Sequence, residues 1–254
     1  MEEKSTEHVI SYYNEHVKNK LNDYISVNPR IEEAWKTLVN YAPETPVRIL
    51  EVGCGIGSVS YRMSKHWPGA EVNGLDISTH SIQIAKKLFV GPNLKFQAGI
   101  LTEDTFDGKF DLIIFMDVYE HISVQDRPVV HAALHKLLNN KGRMFLSVPT
   151  PHNLKWCLKH KPETMQPVDE FISFDVIGQL AADTGTEVLL YQIKDIWNQG
   201  DYAHIVLEKN DDFEAAFFQP KPVSLQQRLR RIANKLIYKI GSATRRISVR
   251  SKLK

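Results

Sequence analysis

The sequence predicts an α/β protein of three layers, with helices on both faces of a mostly parallel sheet. Three observations carry that expectation. Between residues 47 and 208, short runs rich in Val, Ile, Leu and Phe alternate with segments of helical period, the pattern of successive β-α-β units. The first run, Val47-Arg48-Ile49-Leu50, leads straight into Glu51-Val52-Gly53-Cys54-Gly55-Ile56-Gly57, three alternating glycines ahead of a helix. The second ends in Asp76, an acid at a strand tip, on the edge where open α/β sheets bind ligands.

Ahead of the first strand, Val9, Ile10, Tyr13, Val17, Leu21 and Tyr24 recur at helical spacing. Asn28-Pro29 then offers an N-cap and a first-turn proline for a second helix reaching Val39. Residues 47–52 form the first strand. The helix after the glycines spans about 57–66 and is stopped by Pro68-Gly69. Residues 71–75 deliver Asp76, followed by Ile77 and a helix start at Ser78-Thr79, and a third strand over 94–98 runs into Gly99-Ile100-Leu101.

The fourth strand, 110–115, ends at Met116-Asp117-Val118-Tyr119-Glu120-His121, a second crowd of polar residues at a strand's C-terminal end. Ser123-Val124-Gln125-Asp126 reads as a capping-box variant opening a helix to Leu138, which Asn139-Asn140-Lys141-Gly142 ends. Strand five is expected over 143–148. Pro149-Thr150-Pro151 breaks it, and 149–172 reads as a long irregular insertion, the kind of loop that is usually functional in a compact domain. A helix over 173–184 and strands near 187–193 and 202–208 complete the order. Asp201, Tyr202 and His204 lie where they could face a ligand, although a place on the sheet face suits them better.

Glycine adopts φ > 0 without the cost of a Cβ and lets a ligand touch bare backbone, so this loop is expected to meet one. A dinucleotide fold wants G-x-G-x-x-G, yet here the spacing is G-x-G-x-G with an acid two residues before the first glycine. A carboxylate repels phosphate and attracts an amine. The stretch resembles motif I of the class I, Rossmann-like, S-adenosylmethionine-dependent methyltransferases. The D-x-x-E-H arrangement at Asp117, Glu120 and His121 is similar to that of the small-molecule type 11/12 and ubiquinone O-methyltransferase groups. That resemblance implies a seven-stranded sheet with an antiparallel last strand, and S-adenosylmethionine as cofactor.

On the same resemblance, Glu51 with Gly53, Cys54, Gly55 and Gly57 holds the methionine portion, directly or through water. Asp76 accepts both ribose hydroxyls, and Ile77 packs on the adenine. Where the family commonly has an acid for the adenine amino group, this chain has Gly99-Ile100-Leu101, so backbone at Ile100 and Leu101 is assigned, with Glu103 or Asp104 as substitutes. Asp117 is placed on the cofactor side. His121, with an ordinary pKa of about 6.5, suits a proton acceptor at neutral pH, and equally a brace for its loop. A divalent cation held by Asp117, Glu120 and His121 is a third reading, to which the sequence does not commit. Tyr13 in the N-terminal helical lid, with Glu120, Trp156 and Gln166, is assigned to the acceptor. The favoured acceptor is a hydroxyl of a small molecule or glycan, with an amine next. Nucleic acid is disfavoured, because the segment lacks the [DNS]-P-P-aromatic motif of base-modifying enzymes. An NAD-dependent oxidoreductase and a catalytically silent cofactor-binding scaffold are the rival classes.

A chain of 254 residues with 43% hydrophobic content suits one core domain, here 46–209, with a helical segment over 1–45 and a tail over 210–254. No apolar h-region and no run near the roughly 20 residues of a membrane span appear, so a cytoplasmic protein is expected. Two cysteines, Cys54 and Cys157, without metal-ligand spacing agree with a reduced compartment. Net charge is only +2, yet residues 221–254 carry 11 Lys/Arg and no acid, while 1–220 carry 21 against 30. Leu225, Leu229, Ile232, Leu236 and Ile240 form one helical stripe among Arg228, Arg230, Arg231, Lys235 and Lys239. This basic amphipathic pattern fits an anionic membrane surface or, as well, a helix docked on the acidic body or a solubilising tail. Oligomeric state is not legible.

Overall fold

The computed structural model describes residues 11–14, 17–26 and 28–211. After helical residues 11–14 come α1 (Val17–Ser26) and α2 (Pro29–Tyr41). The sheet units follow as β1 (Arg48–Val52), α3 (Ser58–His66), β2 (Glu71–Asp76), α4 (Thr79–Leu88), β3 (Leu94–Ala98) and β4 (Phe110–Met116). A 3-10 turn at Tyr119–His121 then leads to α5 (Arg127–Leu137), β5 (Leu138–Pro149), α6 (Pro151–His160), a second 3-10 turn at Pro162–Thr164, α7 (Phe174–Thr184), β6 (Thr186–Lys194) and β7 (Tyr202–Lys209). The strands form one seven-stranded sheet in the order β3-β2-β1-β4-β5-β7-β6. β7 alone runs opposite to the other six strands, between β5 and β6.

Strand periodicity sorts the core into two faces. Leu50, Val52, Ile113 and Phe115 point to the side covered by α5 and α7, where Ala133, Leu134, Leu137, Ile177 and Leu180 meet them. Ile49, Leu112 and Ile114 point to the side covered by α2 and α3, against Ala34, Leu38, Val59 and Met63. Both faces of β1 and β4 are therefore dry, as a central parallel strand requires. The strand order reverses between β1 and β4, and at such a switch the loops leave in opposite directions and open a crevice beyond the C-terminal strand ends. The loop at Gly53 and the segment 117–121 both lie at that edge.

Local signals account for most boundaries. Asn28 accepts from Arg30 N–H at 3.0 Å with Pro29 in the first turn of α2, and Ser78 caps α4 through Ser81 N–H at 3.0 Å. Three expectations are corrected. The insertion over 149–172 is not irregular throughout, because Thr150 caps a helix through Asn153 N–H at 3.2 Å and Pro151 fills its first turn. α5 begins at Arg127 rather than Ser123; Ser123 Oγ accepts from Asp126 N–H, so this cap closes a turn ahead of the helix. β5 begins at Leu138, absorbing Asn139-Asn140-Lys141-Gly142. There Lys141 takes φ +64°, and the register against β4 shifts between Phe110 and Leu112, so the residues read as a helix stop form an irregularity in the strand.

The basic stretch over 225–240, like Val9 and Ile10, lies outside the described residues. Among the described residues no helix is long and apolar enough to cross a membrane.

His204 faces the sheet core rather than a ligand: it is fully buried beneath α2, with Thr37 Oγ1 2.8 Å from its Nδ1. Burial pushes its pKa down to about 4. The native chain thus refuses a proton that the unfolded chain takes up near pH 6.5. Between those values the unfolded state binds more protons, so stability falls as pH drops through the window, by up to about 3 kcal/mol. Denaturant titrations at pH 7 and about pH 5 should show a smaller loss for His204→Gln than for the unmodified protein.

Candidate active site

The loop after β1 is held by β2. Gly53 and Cys54 N–H both donate to the Leu75 carbonyl, at 2.7 and 3.0 Å, and Gly53, Gly55 and Gly57 have φ of +71°, +53° and +85°. The three glycines are not equivalent. A Cβ on Gly53 would lie 2.3 Å from Val118 Cγ2, and one on Gly57 would lie 2.5 Å from the Phe96 ring. Gly55 has open space apart from the Lys20 side chain, whose Cδ would be 3.8 Å away. Gly53 and Gly57 are glycine for packing, whereas at Gly55 a Cβ would meet only the Lys20 stem; the Gly55 backbone is itself buried.

Asp76 closes this half. Its Oδ2 accepts from Gly55 N–H at 2.7 Å and its Oδ1 from Ser78 N–H at 2.8 Å, so the carboxylate is fixed in orientation while each oxygen keeps a further lone pair. Burial raises its pKa, and these two N–H donors oppose the rise. Glu51 lies beneath the loop, 2% exposed, and accepts from Ser60 Oγ. Burial pushes it to about 7. Cys54 is buried with its thiol pushed up by burial, a small side chain in the core rather than a nucleophile. Ile77 is partly buried and Ile100 is 52% exposed, whereas the Leu101 side chain belongs to the main core. Asp104 is drawn outward to Lys136 at 3.1 Å.

The second half centres on the turn after β4. Asp117 adopts φ +56°, uncommon for a residue other than glycine, and its N–H is tied to the Ser147 carbonyl at 2.9 Å. Its carboxylate meets Arg30 Nε at 2.7 Å, and Arg30 Nη1 donates to Tyr202 Oη at 3.1 Å. Burial alone would weaken the Arg30 charge, but Asp117 and Tyr202 outweigh it and raise its pKa. Burial likewise raises Asp117, against the pull of Arg30.

His121 Nδ1 lies 2.7 Å from the Val168 carbonyl and 3.1 Å from Asp169 Oδ1. A carbonyl can only accept, so Nδ1 carries the proton and the neutral ring keeps its lone pair on Nε2. Nε2 points towards Glu120 Oε1, 3.8 Å away. Burial lowers the His121 pKa, but the carboxylates of Glu120 and Asp169 reverse this and leave it raised. Burial pushes Glu120 to about 7, and its Oε2 has no hydrogen-bond partner among the described residues. Tyr13 donates to Gln166 Oε1 at 3.0 Å, and its ring centroid is 6.4 Å from that of His121. Gln166 N–H in turn donates to Asp169 Oδ2 at 2.6 Å.

Tyr13, Glu120, His121 and Gln166 thus come together, while Trp156 stands apart, 44% exposed and packed on His160 and Lys161. Sequence reasoning missed the roles of Arg30, Val168 and Asp169. Arg30 carried a signal, a basic residue in the first turn of a helix, where the helix dipole disfavours positive charge. Among the described residues no group of three His, Cys, Asp or Glu is placed to hold a metal ion.

The arrangement can do two things: present a glycine loop and an oriented carboxylate to a polar ligand on one side, and take a proton at Nε2 on the other. Residues 49–142 match a family described as "Methyltransferase domain". A ubiquinone biosynthesis O-methyltransferase of Erwinia tasmaniensis is 33% identical over 115 residues, 44% of this chain and 46% of the relative. A phosphoethanolamine N-methyltransferase of Plasmodium falciparum is 25% identical over 214 residues, 80% of this chain and 78% of the relative. The chain spans about half the length of the first curated relatives it matches. Among solved structures, the Bradyrhizobium japonicum N-methyltransferase NodS in complex with S-adenosylhomocysteine superposes with a TM-score of 0.64 at 14% identity, covering 79% of this chain and 98% of that one.

Proposed function

We propose that this chain, a class I S-adenosylmethionine-dependent methyltransferase, moves a methyl group to a hydroxyl oxygen of a small molecule or glycan. The observation that carries the reading is His121, whose Nδ1 is pinned by Val168 and Asp169 so that Nε2 is left to take a proton. When bound, S-adenosylmethionine supplies a methyl group on a positively charged sulfur. The residues present fit it. The loop at Gly53, Cys54, Gly55 and Gly57 takes the methionine portion, Glu51 reaches that portion through water because it lies beneath the loop, and Asp76, oriented by Gly55 N–H, holds the ribose hydroxyls. Ile77 supplies an apolar wall for the adenine, Ile100 and Leu101 contribute backbone, and Asp117 lines the boundary between the two halves.

In this mechanism the protein's work is alignment and proton removal, since holding the reactants in line replaces a bimolecular encounter. Tyr13, Gln166 and Glu120 position the acceptor, and His121 accepts its proton as Asp169 steadies the ring. A second reading, an amine acceptor, is favoured by Glu120: a buried carboxyl with an unpartnered oxygen suits an arriving ammonium group. The likeness to the Plasmodium N-methyltransferase over most of the chain supports it. The basic stretch over 225–254 extends the proposal to peripheral contact with an anionic membrane surface, on its sequence alone.

Incubation of a native extract with the protein and isotopically labelled methyl donor, read by mass spectrometry, tests transfer and tells oxygen from nitrogen in the product. Calorimetry should show binding of S-adenosylhomocysteine and none of NADH; the reverse sinks the reading. In the same assay, Asp76→Ala should weaken binding by about 1–3 kcal/mol, the loss of charge-assisted hydrogen bonds to a carboxylate. An unchanged affinity would remove the ribose role.

A further inference from the structure

On α1 the positions Val17, Lys20, Leu21 and Tyr24 follow the i, i+3, i+4, i+7 spacing of one helix face. Val17 is buried, Leu21 is half-buried, and Tyr24 packs edge-on against Phe89. Lys20 is exposed on this face, a long apolar stem carrying a charged end. Its stem is what lies over Gly55, the one glycine of the loop whose Cβ direction is otherwise open.

The charges around that point are otherwise acidic. Glu51, Asp76 and Asp117 all border the crevice, and burial dominates the raised pKa of each. In all three, Lys20 is among the groups opposing the rise, so its charge is felt in both halves of the site. Arg30, also at the crevice, is already engaged by Asp117 and Tyr202. Acids suit the positive groups of a methyl donor and repel the carboxylate at its methionine end. That carboxylate needs a cation, and the Lys20 stem is what enters the open side of Gly55.

We propose that Lys20 is a cofactor-binding residue, its ammonium pairing with the α-carboxylate of the methyl donor while its stem covers Gly55. The inference rests on the reading of the site as a methyl-donor pocket. It also gives α1 a reason to pack over the glycine loop, because the ligand is then held between loop and helix.

The test uses the full chain and two adenosine thioethers, S-adenosylhomocysteine and methylthioadenosine, which lacks the amino-acid portion. Calorimetry on Lys20→Met should show S-adenosylhomocysteine weakened by roughly ten-fold or more, the scale of one charge-assisted hydrogen bond. Methylthioadenosine binding should stay within about two-fold, which also certifies an intact fold, and Lys20→Arg should keep most of the affinity. Equal weakening of both ligands, or of neither, overturns the role of Lys20. If the unmodified protein binds neither thioether, the methyl-donor reading fails and the inference falls with it.

Discussion

His121→Ala should lower turnover by roughly 10²–10⁴-fold and leave affinity for S-adenosylhomocysteine within about two-fold, the separation expected when a general base is lost from an intact donor site. The geometry sets the terms. Nδ1 is committed to Val168 and Asp169, and only Nε2 remains to accept a proton. A bracing role and a basic role use different nitrogens, so one variant separates them. His121→Asn keeps a donor towards the Val168 carbonyl and has no imidazole to take a proton. Near-normal turnover in that variant would return His121 to a brace. The pH profile gives a second readout. Because Glu120 and Asp169 hold the His121 pKa above its ordinary value, the basic form is lost as pH falls through a point above about 6.5, and kcat/KM falls with it. Asp169→Asn removes one of these carboxylates, so that limb should move to lower pH while the plateau drops from poorer ring orientation. Glu120 titrates in the same range, and the limb therefore belongs to the pair.

What the sequence made legible was local. The glycines, the acid before them and Asp76 lie within one β-α-β unit, and their chemistry follows from spacing that backbone geometry fixes. Asn28-Pro29 declared its helix because cap and proline are adjacent in the chain. Thr150-Pro151 carries the same signature, but with Pro149 before it the triplet reads as a break, and only the hydrogen bond from Asn153 N–H shows that a helix starts there. The acceptor half was harder for a different reason. His121 meets Val168 across 47 residues, Tyr13 meets Gln166 across 153, and Arg30 meets Tyr202 across 172. No periodicity links such positions. They converge because the strand order reverses between β1 and β4, which brings the N-terminal helices and the insertion after β5 to the same sheet edge. Asp169 is thus an acid in a loop by sequence and the partner of His121 by topology.

Beyond the pairing of β1 with β4, the two halves press on each other where Gly53 meets Val118. Gly53 closes the donor loop, and Val118 lies between Asp117 and the Glu120–His121 pair. A Cβ on Gly53 would fall 2.3 Å from Val118 Cγ2 and 2.8 Å from Cγ1. No rotamer of alanine exists to relieve that overlap, and φ of +71° adds roughly 1–2 kcal/mol for any residue with a Cβ. Gly53→Ala should therefore cost about 2–4 kcal/mol in denaturant stability, combining backbone strain with overpacking. It should also depress turnover, because Val118 belongs to the turn that carries Asp117 and His121, and a backbone shift there displaces both. Gly55→Ala makes the contrast. Its φ of +53° carries a similar backbone cost, but its Cβ direction is open save for Lys20, so its main loss should appear in cofactor affinity. Restoring space resolves the cause: Val118→Ala removes both offending methyl groups, and the Gly53→Ala/Val118→Ala double variant should be more stable than Gly53→Ala alone. Simple additivity of the two losses would mean that the contact does not couple the halves, since residues that share a steric conflict give non-additive energies.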